Sequence, residues 1–307
     1  MSEKLDKCKG ALLGLAVGDA LGTTLEFKTP GTFEPLTDLV GGGPFGLIAG
    51  QWTDDTSMAL CLAASLVEKQ QFDAFDQMEN YRSWYRHGYN SSTGVCFDIG
   101  NATRKALELF EDSGQVYCGS TSPYAAGNGS IMRLAPIPIV FHADAEQLNL
   151  YAALSSKTTH ASPQCIDACV YMSNVVAALI RGASKEEVLT ASFALIANYW
   201  SENPLDPAME EVMQGSFKTK EPTQICGSGY VVKTLEAALW AFYHTADFES
   251  GALKVVNLGD DADTTGAVYG QIAGAYYGLA GIPQRWLEKL YRRTQIEQLA
   301  EQLFQMS

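Results

Sequence analysis

Among the seven cysteines of this 307-residue chain there is no C-x-x-C pair. They are scattered and odd in number, which excludes a structural zinc site of the usual spacing and argues against a disulfide framework. Cys61 and Cys169 fall inside apolar helical patterns, as small core residues do. Reduced thiols in a cytoplasmic protein fit best. Basic residues are also scarce: 21 Lys and Arg stand against 35 Asp and Glu, a formal net charge of −14. That surplus argues against nucleic acid or an anionic membrane as partner, because the counterion-release term would be repulsive. No segment reaches the apolar length needed to cross a membrane. The stretch MSEKLDKCKGALLGLAVGDALG imitates a signal peptide, but Glu3 and Asp6 spoil its basic region and Asp19 stands where a cleavage site would lie. It reads as a core helix. Low-complexity linkers and repeats of roughly 20–50 residues are missing too. So are a P-loop and a complete G-x-G-x-x-G, since GNGSIM has the first two glycines alone. No run alternates convincingly like a strand.

What is present is helical periodicity. It covers 8–22, 55–69, 72–88, 101–112, 145–160, 162–182, 184–200, 229–244, 248–259, 264–281 and 283–293. Hydrophobic residues make up 47% of the chain, ample for a sizeable core. The expectation is an all-α protein forming one domain over 1–307. Two helices carry glycine every four residues: Gly10, Gly14, Gly18 and Gly22, then Gly266, Gly270, Gly274 and Gly278. Residues four apart share a helix face, and each interior glycine costs about 1 kcal/mol relative to alanine. Helix ends and loose turns account for Gly22 and Gly278 but not for the middle ones. The pattern predicts two small-faced helices buried together at the centre. Two loops are long and rich in Gly and Pro, 28–52 and 121–139. Loops of that length in a compact domain are usually functional or disordered.

The chemistry sits at two helix heads. QWTDDTSMAL (51–60) places Thr53, Asp54, Asp55 and Thr56 before an apolar run, and LGDDADTTGAVYG (258–270) repeats the idea with Asp260, Asp261, Asp263, Thr264 and Thr265. Capping explains one such cluster, since Thr and Asp satisfy first-turn N–H groups and acids suit the positive end of the helix dipole. Two are harder to dismiss. Carboxylates crowded in a partly buried place resist ionisation, and a divalent cation is the usual remedy. The ligand set is all oxygen, which suits Mg²⁺, Mn²⁺ or Ca²⁺ and not Zn²⁺. An EF-hand counted from Asp261 fails at its twelfth position, Ile272, where a bidentate Glu is required.

Taken in order, GALLGLAVGDALGTTLEF, WTDDTSMAL, FDIGNATRKAL, GNGSIMRLAPI, TTHAS, GYVVKTLEAALWAF and GDDADTTGAVYGQIAGAYYG resemble the ADP-ribosylglycohydrolase family, in particular its bacterial dinitrogenase-reductase-activating branch. The likeness runs from about residue 9 to 281 and is most specific in the paired Asp/Thr motifs. It implies a compact orthogonal helical bundle with two Mg²⁺ or Mn²⁺ ions at its centre, cleaving ADP-ribose from an acceptor, often arginine. Metal ligands carried over fall on Thr53, Asp54, Asp55, Asp261, Asp263 and Thr264. Asp260 stands where relatives often have glycine and is taken as capping or supporting the ligands. Glu26 matches a family glutamate near the metals, Asp98 an acid facing the ribose, and His160 a ligand-side histidine. Tyr230 is assigned to the adenosine side. For the diphosphate, Gly127, Asn128, Gly129 and Ser130 offer backbone N–H groups at what reads as a helix start, and Arg133 adds a charge.

The resulting expectation is a cytoplasmic, monomeric ADP-ribosyl hydrolase acting on an ADP-ribosylated protein and most suited to arginine, with Glu26, Asp55 or Asp98 handling protons. The loop between Glu26 and the Thr53 motif, with its Gly-rich stretch 41–50 as hinges, is expected to close as a lid over substrate. Three rivals stay open: a non-catalytic ADP-ribose-binding or structural protein on the same fold, a hydrolase of another linkage such as serine, and a dimetal phosphoester hydrolase.

Overall fold

The computed structural model describes residues 2–307. The α-helices in chain order are α1 Glu3–Gly22, α2 Asp54–Lys69, α3 Ala74–His87, α4 Asn101–Ser113, α5 Pro136–Phe141, α6 Ala145–Lys157, α7 Pro163–Ile180 and α8 Lys185–Val188. There follow α9 Tyr199–Glu202, α10 Pro207–Met213, α11 Val231–His244, α12 Phe248–Val256, α13 Ala262–Tyr277, α14 Gln284–Lys289 and α15 Arg293–Gln305. Among the described residues the extended pairings are isolated bridges: Gly42 with Leu47, Ser120 with His160, and Gly127 with Tyr230. The class is all-α.

The centre is the α1–α13 pair. A Cβ on Gly10, Gly14, Gly18 or Gly22 would press into the backbone carbonyl of Gly274, Gly270, Gly266 or Ala262 respectively, far inside van der Waals contact. The converse holds for Gly266, Gly270 and Gly274 against α1. The two backbones therefore touch along their length, and the glycine stripe exists for that approach. Gly22 belongs to the interlock as much as the others. Gly278 instead ends α13 at φ 72°.

Around this pair pack α2, α7, α11, α12 and α15. Helix α7 is long and apolar enough to cross a membrane by composition, yet 78% of its residues are buried inside the protein. The expectation that no segment reaches that length is corrected here, since α7 is a core helix whose apolar faces meet α6, α11 and α13. A second correction concerns 184–200, expected as one helix. It forms two single-turn helices, α8 and α9, because Ser192 and Asn198 take positive φ. The Leu195 N–H also turns aside to the Asn174 side chain. The helix expected over 283–293 breaks at Arg292, φ 48°, into α14 and α15.

Candidate active site

Helices α1, α2 and α13 meet at their ends, and capping does not explain the acids there. Thr53 is the N-cap of α2 and Asp261 that of α13, and neither side chain caps its own helix. The α2 head is capped by Asp19, reaching over from α1. Its Oδ1 accepts from the Thr53 N–H at 2.9 Å and its Oδ2 from the Thr56 N–H at 3.0 Å. The Thr56 hydroxyl adds a bond to the same Oδ2 at 2.6 Å. Asp54 and Asp55 are thereby released from capping and turn to the cleft between the helices. In the sequence Asp19 stands out only as the acid where a cleavage site would lie. The available signal was a lone acid in the otherwise small and apolar stretch 10–22 of α1.

The Thr53 hydroxyl oxygen lies 2.9 Å from Asp19 Oδ1, 3.1 Å from Asp55 Oδ2 and 3.1 Å from Asp263 Oδ2. One hydroxyl proton cannot serve three carboxylates. Asp55 Oδ1, Asp263 Oδ1 and Glu26 Oε2 are buried with no hydrogen-bond partner at all. Burial, as the largest cause, pushes the carboxyls of Asp54, Asp55 and Asp263 well above the usual range, and their like-charged neighbours push further. Asp261 is raised less, because the Asn128 amide donates to its Oδ2 at 2.6 Å. Carboxylate oxygens of Asp19, Asp55 and Asp263 form one cluster tight enough for a cation, and those of Glu26, Asp98 and Asp263 a second. Asp19 is already saturated by four donors, so the first cluster needs it as a cap rather than a ligand. Orphaned buried oxygens in an all-oxygen set with no lysine or arginine among them fit a hard divalent cation.

Glu26 and Asp98 stand at the edge of this group. Burial and the Asp98 charge raise Glu26 to about 10, and burial raises Asp98 to about 7. Their carboxylate oxygens lie within 4.8 Å of each other and of one from Asp263, so each charge resists the next. Asp98 does not cap α4, whose N-cap is Gly100. Asp260 is exposed at the rim of the cleft, and its backbone exchanges hydrogen bonds with Phe27 and Lys28 at 2.7 and 2.8 Å. It sits at φ 58°, in the left-handed region, a good reason for glycine to be favoured there.

The cleft beside the acids holds about 470 Å³ and is lined by Glu26, Asp54, Asp98, Asp261, Asp263 and Thr264 on one side. Gly127, Asn128, Gly129 and His160 form the other. Tyr230 lies in an adjoining groove with Tyr124 and Gln164, which shares Gly127 and Gly229 with the cleft. Three expectations for the phosphate wall are corrected. Residues 128–134 form successive turns ahead of α5, not a helix start, and the Asn128 N–H is taken by the Gly229 carbonyl at 3.1 Å. Ser130 is buried and does not line the cleft, its hydroxyl oxygen lying 2.9 Å from that of Ser156 and 3.5 Å from the Cys169 sulfur. Arg133 is fully buried and does not line the cleft. Its Nη2 donates to the Thr159 hydroxyl at 2.7 Å, and its guanidinium stacks 4.4 Å from the Tyr81 ring centre.

The Gly-rich stretch 41–50 is also less free than a lid requires. The Asn257 side chain clamps the Leu36 backbone through both its N–H and its carbonyl. Lys289 holds Asp38 and the Leu39 carbonyl, and Gly50 accepts from the Tyr291 N–H at 3.0 Å. Residues 27–35 are the exposed part of this loop, and even there Phe27 and Lys28 are tied to the Asp260 backbone.

Comparison with known proteins places the chain among known hydrolases. The family model for ADP-ribosylglycohydrolase matches residues 1–307. The chain is 45% identical to ADP-ribosylarginine hydrolase Tri1 of Serratia proteamaculans, over 100% of this chain and 81% of that protein. It is 34% identical to the ADP-ribosyl-[dinitrogen reductase] glycohydrolase of Rhodospirillum rubrum, over 95% of this chain and 92% of that one. A solved structure described as an ADP-ribosylglycohydrolase-related protein complex superposes with a TM-score of 0.88 at 43% identity, covering 100% of both chains.

Proposed function

We infer that this chain, which belongs to the ADP-ribosylglycohydrolase family, is a metal-dependent hydrolase that frees ADP-ribose from modified arginine side chains. The observation that carries it is the pair of helix heads whose acids are excused from capping and left with orphaned oxygens around one cleft. Full-length similarity to two hydrolases named for arginine-linked or protein-linked ADP-ribose supports the substrate class.

Thr53, Asp54, Asp55, Asp261, Asp263 and Thr264 would hold two divalent cations, Mg²⁺ or Mn²⁺. When bound, such ions supply positive charge that polarises hydroxyl groups and water. The remaining work belongs to side chains of this protein. Gly127, Asn128, Gly129 and His160 form the wall against which the diphosphate and ribose lie, with the adenosine extending towards Tyr230. Asn128 also steadies Asp261. The Glu26–Asp98 pair, one proton between two carboxyls, faces the scissile bond. Hydrolysis forms a bond from water oxygen to C1″ and breaks the C1″–nitrogen bond. The departing guanidine is a strong base and takes a proton as it leaves, which this pair can supply. The ionised member faces the oxocarbenium-like charge that develops on the sugar. Asp55, whose Oδ1 is buried without a partner, serves the cation site rather than the proton transfer. The protein acts as a single 1–307 domain and a monomer. Its unbridged cysteines suit a reducing cytoplasm.

The test is product analysis with arginine-, serine- and acid-linked ADP-ribosyl peptides. Free ADP-ribose should appear fastest from the arginine peptide. Faster release from serine overturns the linkage, and AMP or phosphate as product overturns the glycosidic reading.

A further inference from the structure

We propose that Arg133 and Thr159 are positioning residues that hold His160 as the neutral Nε2–H tautomer, so that the ring presents a fixed hydrogen-bond donor to the cleft. The starting point is an oddity. Arg133 is fully buried, and among the described residues no carboxylate pairs with it. Its contacts are the hydroxyls of Thr159 at 2.7 Å and Thr158 at 3.3 Å, the Met58 sulfur at 3.7 Å and the Tyr81 ring. An unpaired buried cation is costly to keep.

The direction of the hydrogen bonds follows from the donor inventory. A guanidinium can only donate, so Thr159 Oγ1 accepts from Arg133. That leaves the single Thr159 hydroxyl proton to be placed. The atom waiting for it is His160 Nδ1, 2.8 Å away. Nδ1 is then an acceptor, and the ring proton resides on Nε2. The opposite tautomer would set the Nδ1 proton against that hydroxyl and strand the hydroxyl's own proton in the core. Burial first, and the Arg133 charge second, push the imidazole down to about 3, so the ring is neutral.

The ring is also seated. A Cβ on Gly129 would lie 2.6 Å from His160 Cε1 and 3.0 Å from Nε2, and one on Gly127 would lie 3.4 Å from Nε2. The His160 N–H donates to the Ser156 carbonyl at 2.7 Å, and its carbonyl accepts from the Ser156 hydroxyl at 2.8 Å. GNGSIMR and TTHAS are thus one device. The two glycines make room for the ring, and the arginine of the same segment sets its proton from behind. A neutral N–H at this wall suits an acceptor oxygen of ADP-ribose. That last step rests on the hydrolase reading above.

The test uses full-length protein with ¹⁵N-labelled histidine and long-range proton–nitrogen correlation at neutral pH. Four histidines are present, His87, His142, His160 and His244, and His160→Gln identifies the signal. Wild type should show protonated Nε2 and bare Nδ1. Thr159→Ser should keep that pattern, whereas Thr159→Val and Arg133→Met should give a tautomer mixture. Val matches Thr in volume and Ser lacks one methyl group yet keeps the hydroxyl, so loss of packing would tell against Ser and loss of the relay against Val. Calorimetric affinity for ADP-ribose should fall about tenfold in Thr159→Val, the size of one hydrogen bond, and hold in Thr159→Ser. An Nδ1–H ring or an imidazolium in wild type overturns the proposal, as does an unchanged tautomer in Thr159→Val. The expected tautomers in a protein that fails to bind ADP-ribose uphold the relay and overturn the hydrolase reading instead.

Discussion

Stripping divalent cations should leave a protein that grows less stable as pH rises from about 5 to 8, and restoring Mn²⁺ or Mg²⁺ should remove most of that slope. The sign comes from the direction of the carboxyl shifts. Asp19 is raised from 3.8 to about 6, chiefly by burial and against the hydroxyl and N–H bonds of Thr53 and Thr56. Asp98 is raised from 3.8 to about 7. A folded-state value above the unfolded one means that the native protein holds a proton which the unfolded chain has released. Stability from such a group is complete below about pH 4 and is lost as pH climbs through the folded value. At about 1.4 kcal/mol per pH unit of displacement, Asp19 alone accounts for about 3 kcal/mol between pH 4 and 7. Asp98 belongs to the same field, so its contribution overlaps rather than adds. Glu26, pushed to about 10, keeps the slope running past pH 8. Asp38 does not intrude, since Lys289 holds it down at about 2 and its loss of stability lies at more acid pH.

For 307 residues the unfolding entropy is about 0.6 kcal/mol/K, so 3 kcal/mol becomes a fall of about 5 °C in Tm. Bound cations replace the protons, so the loaded protein should melt at nearly constant temperature over that range. Binding near pH 6 should also release at least about one proton per chain. The assays are thermal melts in chelator and in Mn²⁺ across the pH range, and calorimetry in two buffers of different ionisation enthalpy. A chelated protein whose Tm stays flat or rises between about pH 5 and 7.5 would refute the reasoning. So would cation binding without proton release.

Gly270→Ala should cost about 3 kcal/mol or more, because its Cβ would meet the Gly14 carbonyl of a helix that cannot retreat; a melt within 2 °C of wild type, about 1 kcal/mol, would remove the interlock. Asn128→Leu should weaken Mn²⁺ binding roughly 10–100-fold by freeing Asp261 Oδ2, with helicity unchanged, as a metal titration would show. Asp98→Asn should slow release from arginine-linked peptide by about 100-fold or more. Its ADP-ribose affinity should stay within about tenfold. A fully active variant would take Asp98 out of the proton pair.

The parts of the fold that were legible were those written as a period. Glycine every fourth residue announced a backbone-to-backbone contact, and the contact is there from Gly10 against Gly274 to Gly22 against Ala262. The Asp/Thr heads were legible because the same idea occurs twice. The failures share a physical cause, which is that residue type does not give direction. In 184–200, Ser192 and Asn198 adopt positive φ and the Leu195 N–H bonds to Asn174, twenty-one residues back, so an apolar run becomes two single turns. Arg133 follows the phosphate-like GNGSIM, so its charge was assigned outward, yet the chain turns it into the core behind His160. Asp19 lay in plain view, but its partners Thr53 and Thr56 are more than thirty residues on.

Asp19 explains why the legible residues work. Glycine is the worst ordinary residue for a helix interior, and a stripe of it in each of two helices weakens both. What the stripe allows is a close approach of the last turn of α1 to the first turn of α13, where Gly22 rests on Ala262 and Asp263. Asp19 lies one turn back from that contact and reaches the head of α2, capping it in place of its own Thr53 and Asp54. A helix that capped itself would spend its threonine or aspartate oxygens on its own N–H groups. Capped from α1, it keeps them for the cleft. The buried carboxyl of Asp19 is therefore the link between the glycine face and the acid cluster. Asp19→Asn should preserve part of the α2 cap through its amide oxygen. Its amide nitrogen, however, would confront one of the N–H groups that both carboxylate oxygens now accept. Stability and cation affinity should fall together in that variant. Stability falling alone would mean that the cap and the cation site are independent, and the argument joining them would fail.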